Sequence, residues 1–312
     1  MVMKARWLGI VLISTGIAVL MAWGLGAQQP VDGTDQQPIR VEVDAVNLVV
    51  TVNHKKTGDF IEGLSVNDFV VEENGVRQQI TNFTAQTNLP LIIAMAVDTS
   101  SSVRIKLNFE KEVAADFIYS VMRPIDQALL VEFDTGVTLL HDYTNDANSI
   151  VREIEKLGAG GGTSMYDAIY LIAEQKLLGL EGRKTIIILS DGADQTSSHS
   201  FESALRLCYH AEATIFAIST TRLGADIDHE VDNTLVQMTE STGGKVYFPV
   251  STSEMSKAFQ EINQTLRNQY SITYTPLNKE RDGTFRRLKV KVRGLDGAVI
   301  RHRKGYYAEV IE

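Results

Sequence analysis

The chain has 312 residues, room for one large domain or two modest ones. Hydrophobic residues make up 44% and charged residues 22%, which fits a globular protein and excludes a disordered one. A single cysteine, Cys208, excludes an intramolecular disulfide framework and any Cys-based zinc or iron–sulfur site, and a net charge of −9 argues against nucleic-acid partners.

The N-terminus carries Lys4 and Arg6, then an uncharged, mostly apolar stretch over residues 7–22, then the small residues Gly24, Gly26 and Ala27. That order reads as a secretory signal over residues 1–27. Counted from 7 to 27, the apolar run approaches the ~20 residues that span a bilayer, so an uncleaved N-terminal membrane anchor is the alternative. Residues 28–40 are polar, contain Pro30, Gly33 and Pro38, and read as a linker. The working part is therefore expected outside the cytoplasm, periplasmic or secreted.

Residues 41–89 read as all-β. Strand candidates are 47–52, 69–72 and 78–83, the last two flanking the turn signal Glu73–Asn74–Gly75. From 90 to 268 apolar runs alternate with amphipathic stretches. The runs are 91–97, 128–133, 185–189 and 214–218, with a shorter one at 246–248. Near-continuous apolar runs suit strands buried on both faces of a parallel sheet. Phe201, Ala204, Leu205, Cys208 and Ala211 follow helical spacing, as do Met255, Phe259, Ile262 and Leu266. Asp146 and Ser200 are helix-start signals, and Gly243–Gly244 is a stop. Residues 137–141 follow the turn Asp134–Thr135–Gly136 and are expected to pair antiparallel with the preceding strand. The expected fold is α/β: a doubly wound, mostly parallel, six-stranded Rossmann-like sheet. It is inserted in or flanked by a small all-β, sandwich-like domain, because 269–312 returns to strands at 270–275, 285–292 and 299–303.

Charge divides along the same lines. From residue 268 onward there are ten Lys/Arg against five Asp/Glu; from 90 to 267 there are 14 against 25. The basic tail, including Arg286, Lys289, Lys291 and Arg293, reads as a solvated strand face. Packing on the acidic middle zone, or contact with anionic surfaces, are the other readings.

Three segments carry chemistry. An apolar strand ends in Asp98-Thr99-Ser100-Ser101-Ser102. A glycine-rich loop, 158–162, leads into Thr163. A second apolar strand ends at Asp191. In a doubly wound sheet, loops after neighbouring strand ends converge on one crevice. Asp98, Ser100, Ser102, Thr163 and Asp191 would then offer five oxygen donors, only two of them anionic. Hard oxygen ligands with few carboxylates suit Mg²⁺ or Mn²⁺, whereas Ca²⁺ sites gather more carboxylate and carbonyl oxygens.

The middle zone, 90 to about 268, resembles a von Willebrand factor type A domain with a metal-ion-dependent adhesion site. Asp98, Ser100 and Ser102 match that family's Asp-x-Ser-x-Ser motif, Thr163 its threonine and Asp191 its later aspartate. The flanks resemble exported bacterial proteins that carry such domains: 63–69 followed by Glu73–Asn74–Gly75 before the domain, and a final strand ending Arg303-Lys304-Gly305-Tyr306-Tyr307. The resemblance implies adhesion by cation-bridged recognition. The hydroxyls coordinate, the aspartates act directly or through water, and a partner's Asp or Glu carboxylate completes the ion's coordination.

Other residues have blander readings. The glycine loop lacks the following lysine of a phosphate-binding loop. Asp167 suits a helix N-terminus rather than a metal, Asp194 is a loop acid near the site, and Cys208 is a small core residue. His141, His199 and His210 lack metal-ligand spacing. An enzyme is the main rival, since an apolar strand ending in Asp98 resembles a magnesium-dependent phosphatase. That chemistry wants a second Asp where Ser100 stands, and no Gly-x-Ser-x-Gly or His-Glu-x-x-His occurs. A structural envelope protein with a vacant site is the other rival. The last helix, about 253–267, leads almost directly into the strand at 270, so ligand binding could be felt in the β-domain.

Overall fold

A computed structural model describes residues 45–85, 89–191, 193–223 and 229–310; the signal or anchor segment and the linker lie outside them. The described residues all belong to one unit. No helix among the described residues is long and apolar enough to cross a membrane.

The first strand, β1 (Val46–His54), alternates buried and half-buried residues over its first half, as a strand packed on one face should. A hairpin follows, β2 (Phe69–Glu73) and β3 (Val76–Gln78). Its two turn residues, Asn74 and Gly75, both have positive φ (48° and 84°). That is the mirror-image turn whose twist matches the strands, and Asn-Gly is the pair that adopts it at least cost. The sequence pattern predicts one strand over 78–83. The chain instead breaks at Gln79: β3 stays with β2, while β4 (Ile80–Ala85) leaves to pair with a strand of another sheet. Buried Gln78 fixes the corner, its amide donating to Val76 O and accepting from Leu277 N.

The α/β unit comprises β5 (Leu91–Asp98), α1 (Leu107–Val121), β6 (Gln127–Phe133), β7 (Val137–Thr144), α2 (Ala147–Lys156) and α3 (Met165–Leu171). It continues with β8 (Arg183–Ser190), α4 (Phe201–His210), β9 (Ala213–Ser219), α5 (His229–Thr242), β10 (Val246–Tyr247) and α6 (Thr252–Arg267). The sheet order is β10-β9-β8-β5-β6-β7, with only the edge strand β7 antiparallel. Every residue of β5 and β8 is buried. Alternate residues of β5 serve opposite cores: Ile93, Met95 and Val97 pack with α1 and α6, whereas Ile92, Ala94 and Ala96 pack with α3, α4 and α5. Asp146 and Ser200 cap α2 and α4 through their side chains, as their positions suggested, and Ser251 caps α6. Gly243, at φ +89°, stops α5. Its neighbour Gly244 passes so close to β9 that a Cβ there would lie 1.8 Å from Ile215 O.

The remaining strands are β11 (Tyr270–Tyr274), β12 (Phe285–Val292), β13 (Ala298–Arg301) and β14 (Gly305–Tyr307). They build two antiparallel four-stranded sheets with the first four, in the orders β13-β1-β11-β4 and β14-β12-β2-β3. Leu48, Val50, Phe69, Val71, Ile272 and Val290 share one core between these sheets. Tyr274 and Tyr306 both donate to Glu73 Oε2 at 2.8 Å, a polar staple across that core. One charge assignment needs correction. Arg286 is only 5% exposed, on the inward face of β12, where it donates to Glu280 O and Asp282. The outward residues are Arg287, Lys289 and Lys291, because a strand turns alternate side chains to opposite faces. Arg303 reaches the acidic unit directly, 2.9 Å from Glu212.

The two passages of chain between the α/β unit and the β-sheets meet at Arg183. Its guanidinium donates to Leu89 O, before β5, and to Leu266 O and Gln269, after α6. Asp126 completes the junction, accepting from Leu91 N, Arg123 and Arg267.

Candidate metal centre

Asp98 is the last residue of β5 and is fully buried. Its Oδ1 accepts from Ser100 N at 2.8 Å and its Oδ2 from Ser190 Oγ at 2.6 Å. The first bond is the local turn an Asp makes with the backbone two residues on. It curls the chain so that the hydroxyls of Ser100 and Ser102 lie 2.9 Å apart. Burial pushes the Asp98 carboxyl up to about 6 against the lowering hydrogen bonds from Ser100 and Ser190; the Asp191 charge adds to the rise.

The glycine loop is tied to this turn through backbone groups. Gly160 N donates to Thr99 O at 2.7 Å, and Ser101 donates from both N and Oγ to Gly161 O. Gly161 has φ +77°, and a Cβ on it would lie 2.8 Å from Thr135 Oγ1. Glycine is required there twice over, for conformation and for space. Thr163, just beyond, is 3% exposed, and its carbonyl accepts from Gln195 N and Thr196 N. Asp191 follows β8 directly and is half-buried, its Oδ1 3.4 Å from Ala193 N. The structure thus brings Asp98, Ser100 and Ser102 into one hydrogen-bonded turn. It sets Asp191 beside them through Ser190, and brings the Thr163 loop to the same end through backbone bonds.

Asp167 lies in the first turn of α3 and Asp194 in the loop after β8, as expected, and both bind backbone N–H groups. Asp194 accepts from Tyr166 N at the start of α3 at 2.9 Å. Asp167 anchors the loop beyond, accepting from Ser198 N, His199 N and His199 Nδ1. Its burial would raise its pKa, but those bonds lower it. His199 stacks on Tyr170 with centroids 3.7 Å apart. His210 lies 3.0 Å from Glu309, and Cys208 is buried, its thiol pushed up to about 12 by burial.

Sequence reasoning missed Glu110. It is fully buried in the first turn of α1, and neither carboxylate oxygen has a hydrogen-bond partner among the described residues. Burial pushes it up to about 8, with the Asp98 and Asp191 charges adding and the Lys106 charge and the nearby Thr220 hydroxyl opposing. The signal was available: Leu107, Glu110, Val113, Ala114 and Phe117 are the buried stripe of α1, so an acid stood on an apolar helical face.

No cluster of three or more His, Cys, Asp or Glu side chains able to hold an ion occurs among the described residues. The donor set is instead hydroxyl-rich, and its chemistry fits a hard divalent cation that keeps some of its water. The buried carboxylate of Asp98 and the paired serine hydroxyls fit as ligands of such an ion.

The fold is a doubly wound α/β unit with Asp98 and Asp191 at the carboxyl ends of β5 and β8. Residues 93–193 match the family model of the von Willebrand factor type A domain. Among solved structures the chain is similar to proximal thread matrix protein 1 from the mussel byssus, with a zinc-occupied MIDAS motif. That pair is 20% identical, covers 62% of this chain and 49% of that one, and has a TM-score of 0.51. A von Willebrand factor type A protein from Catenulispora acidiphila is 13% identical over 86% of this chain and 75% of that one, at a TM-score of 0.48. The D319A mutant of the PilB minor pilin from Streptococcus sanguinis is 14% identical over 58% and 62%, at 0.46. The chain therefore spans less than two thirds of the mussel and pilin chains. No curated protein sequence matches it.

Proposed function

We propose that the protein is an exported von Willebrand factor type A domain protein that binds a protein partner through a divalent cation. Asp98, Ser100, Ser102, Thr163 and Asp191 would hold the ion, Mg²⁺ or Mn²⁺ in preference to Ca²⁺. Bound there, the ion supplies a Lewis-acidic coordination position for a partner's Asp or Glu carboxylate. The observation that carries this reading is the Asp98 turn, a buried carboxylate with two serine hydroxyls 2.9 Å apart at a strand end. The zinc-occupied MIDAS motif of the mussel protein supports a cation at this position in the fold. Few anionic ligands leave the ion short of negative charge, which favours an anionic visitor.

Binding is favoured over catalysis. Both Asp98 oxygens accept hydrogen bonds, from Ser100 N and Ser190 Oγ, and each keeps a lone pair for an ion. Ser100 stands where a second acid would be needed. Export, with residues 7–27 as signal or membrane anchor, places the partner in the cell envelope or beyond.

The test is capture from an envelope extract on immobilised protein in MgCl₂, followed by elution with EDTA. A partner retained in Mg²⁺, released by EDTA and not retained by Asp98→Ala supports the reading. A partner held equally by wild type and Asp98→Ala in EDTA overturns it.

A further inference from the structure

We propose that Glu110 is a positioning residue of the metal centre, accepting hydrogen bonds from the water that the bound ion retains; this rests on the cation reading above. A buried carboxylate is expensive to keep unless it is paired or hydrogen-bonded. Glu110 is fully buried with both oxygens unpartnered among the described residues. The donors around it are few. The Lys106 ammonium, one helical turn earlier, is 2.6 Å from Thr220 O. The Thr220 hydroxyl approaches Glu110 and lowers its pKa, but neither carboxylate oxygen is in full hydrogen-bond geometry.

This pair sits behind the Asp98 turn. Thr220 N donates to Ser190 O, and Ser190 Oγ donates to Asp98. Asp98, Asp191 and Glu110 interact electrostatically with one another, and Lys106 is the one cation that opposes them at Glu110. The three acids do not converge closely enough to form a ligand cluster, so Glu110 acts at one remove, through water. Ions of the Mg²⁺ class keep several waters whose protons need acceptors. Acceptors in that position orient the ligands and tune affinity.

The experiment compares wild type, Glu110→Gln and Asp98→Asn, titrating each with MgCl₂ by calorimetry and measuring thermal stability without metal. Glutamine keeps the shape and removes the charge. Glu110→Gln is expected to melt at or above the wild-type temperature without metal, yet to bind Mg²⁺ about tenfold more weakly. A purely structural Glu110 gives the opposite pattern, a lowered metal-free melting temperature with wild-type Mg²⁺ affinity, and overturns the proposal. If wild type itself binds no Mg²⁺, the cation reading fails and Glu110 falls with it. If wild type binds and Glu110→Gln binds equally, only the Glu110 role fails.

Discussion

Ser190 Oγ donates a 2.6 Å hydrogen bond to Asp98 Oδ2, so the last residue of β8 holds the last residue of β5. The two strands are parallel neighbours in register from Leu91–Arg183 to Val97–Leu189. The bond continues that register into the side chains, just where the loops diverge. It fixes one Asp98 oxygen, while Ser100 N fixes the other. The carboxylate cannot rotate freely, and its orientation is set before any ion arrives.

Ser190→Ala therefore removes one of two donors to a buried acid. Hydrogen bonds to charged groups contribute about 1.5–3 kcal/mol, so chemical denaturation at neutral pH should show a loss in that range. Mg²⁺ affinity should also fall about tenfold, as when other orienting partners of metal ligands are removed. A Ser190→Ala variant with wild-type stability and wild-type Mg²⁺ affinity would show that the bond orients nothing.

Asp98→Ala should separate folding from binding. The substitution removes a buried carboxyl whose pKa burial has pushed up to about 6, so the fold gives up a group that is costly to bury. The metal-free variant should melt within a few degrees of wild type, since about 1 kcal/mol corresponds to a shift of this order. Wild type in MgCl₂ at 100 times Kd should gain about 2.7 kcal/mol by mass action, reversed by EDTA. The variant should gain nothing. A melting scan with and without MgCl₂ decides it, and an equal metal-induced shift in both proteins would remove Asp98 from the site.

Much of this arrangement is visible in the sequence, for reasons of periodicity. Strands buried on both faces are apolar along most of their length, and residues 91–97 of β5 and 186–189 of β8 stand out that way; the helix caps Asp146, Ser200 and the stop at Gly243 are local signals with local causes. Asp98, Ser100 and Ser102 are legible because their contact is made within five residues. What the sequence hides is made at long range. The break at Gln79 depends on Gln78 meeting Leu277, about 200 residues away. The bonds from Asp194 to Tyr166 N and from Asp167 to the backbone of Ser198 and His199 depend on how the loop after β8 lies over α3. Arg286 looks like its basic neighbours until the alternation of β12 is placed against a core. Glu110 sits on the apolar stripe of α1 in plain view, but its meaning depends on Thr220 and Asp98 arriving from other strands.

Gly244→Ala tests a close approach of backbone to backbone in the α/β unit. The added Cβ would stand 1.8 Å from Ile215 O and 2.8 Å from Ile215 C. These are backbone atoms of β9, next to β8 in the sheet, and cannot step aside as a side chain could. The chain after α5 must move instead, disturbing the Gly244 N to Thr239 O and Ala217 N to Lys245 O bonds. Overpacking of this kind costs about 1–3 kcal/mol, and more where backbone must shift. Urea denaturation of the variant should fall by at least that range. A cost below about 0.5 kcal/mol would mean that β10 and β9 are more loosely joined than the geometry requires.

His302 makes the acid sensitivity of the β-sheets measurable. Its Nε2 accepts from Val290 N at 3.1 Å, which places the proton on Nδ1, and Nδ1 donates to Arg303 O at 2.7 Å. The ring is 6% exposed; burial pulls its pKa down from 6.5 to about 4, with the Lys304 and Arg303 charges adding to the fall and the Arg303 carbonyl bond opposing it. Between those two values the unfolded chain takes up a proton that the folded chain refuses, so acid favours unfolding. The stabilisation is complete above pH 6.5, declines through the interval and is gone below about 4. A shift of this size corresponds to about 3 kcal/mol at most. Protonation of Nε2 also sets two donors face to face at Val290, so the loss should concentrate where β12 meets the chain before β14. Asp98 and Glu110, whose values are raised, act in the opposite sense over part of the same range, but equally in wild type and in a His302 variant. His302→Gln offers Val290 N a neutral acceptor. Urea denaturation at pH 7 and pH 4.5 should show wild type losing more stability than His302→Gln, by about 2–3 kcal/mol. Parallel losses in the two proteins would mean that His302 is protonated in the folded state without cost, against the burial and the Val290 bond that hold it neutral.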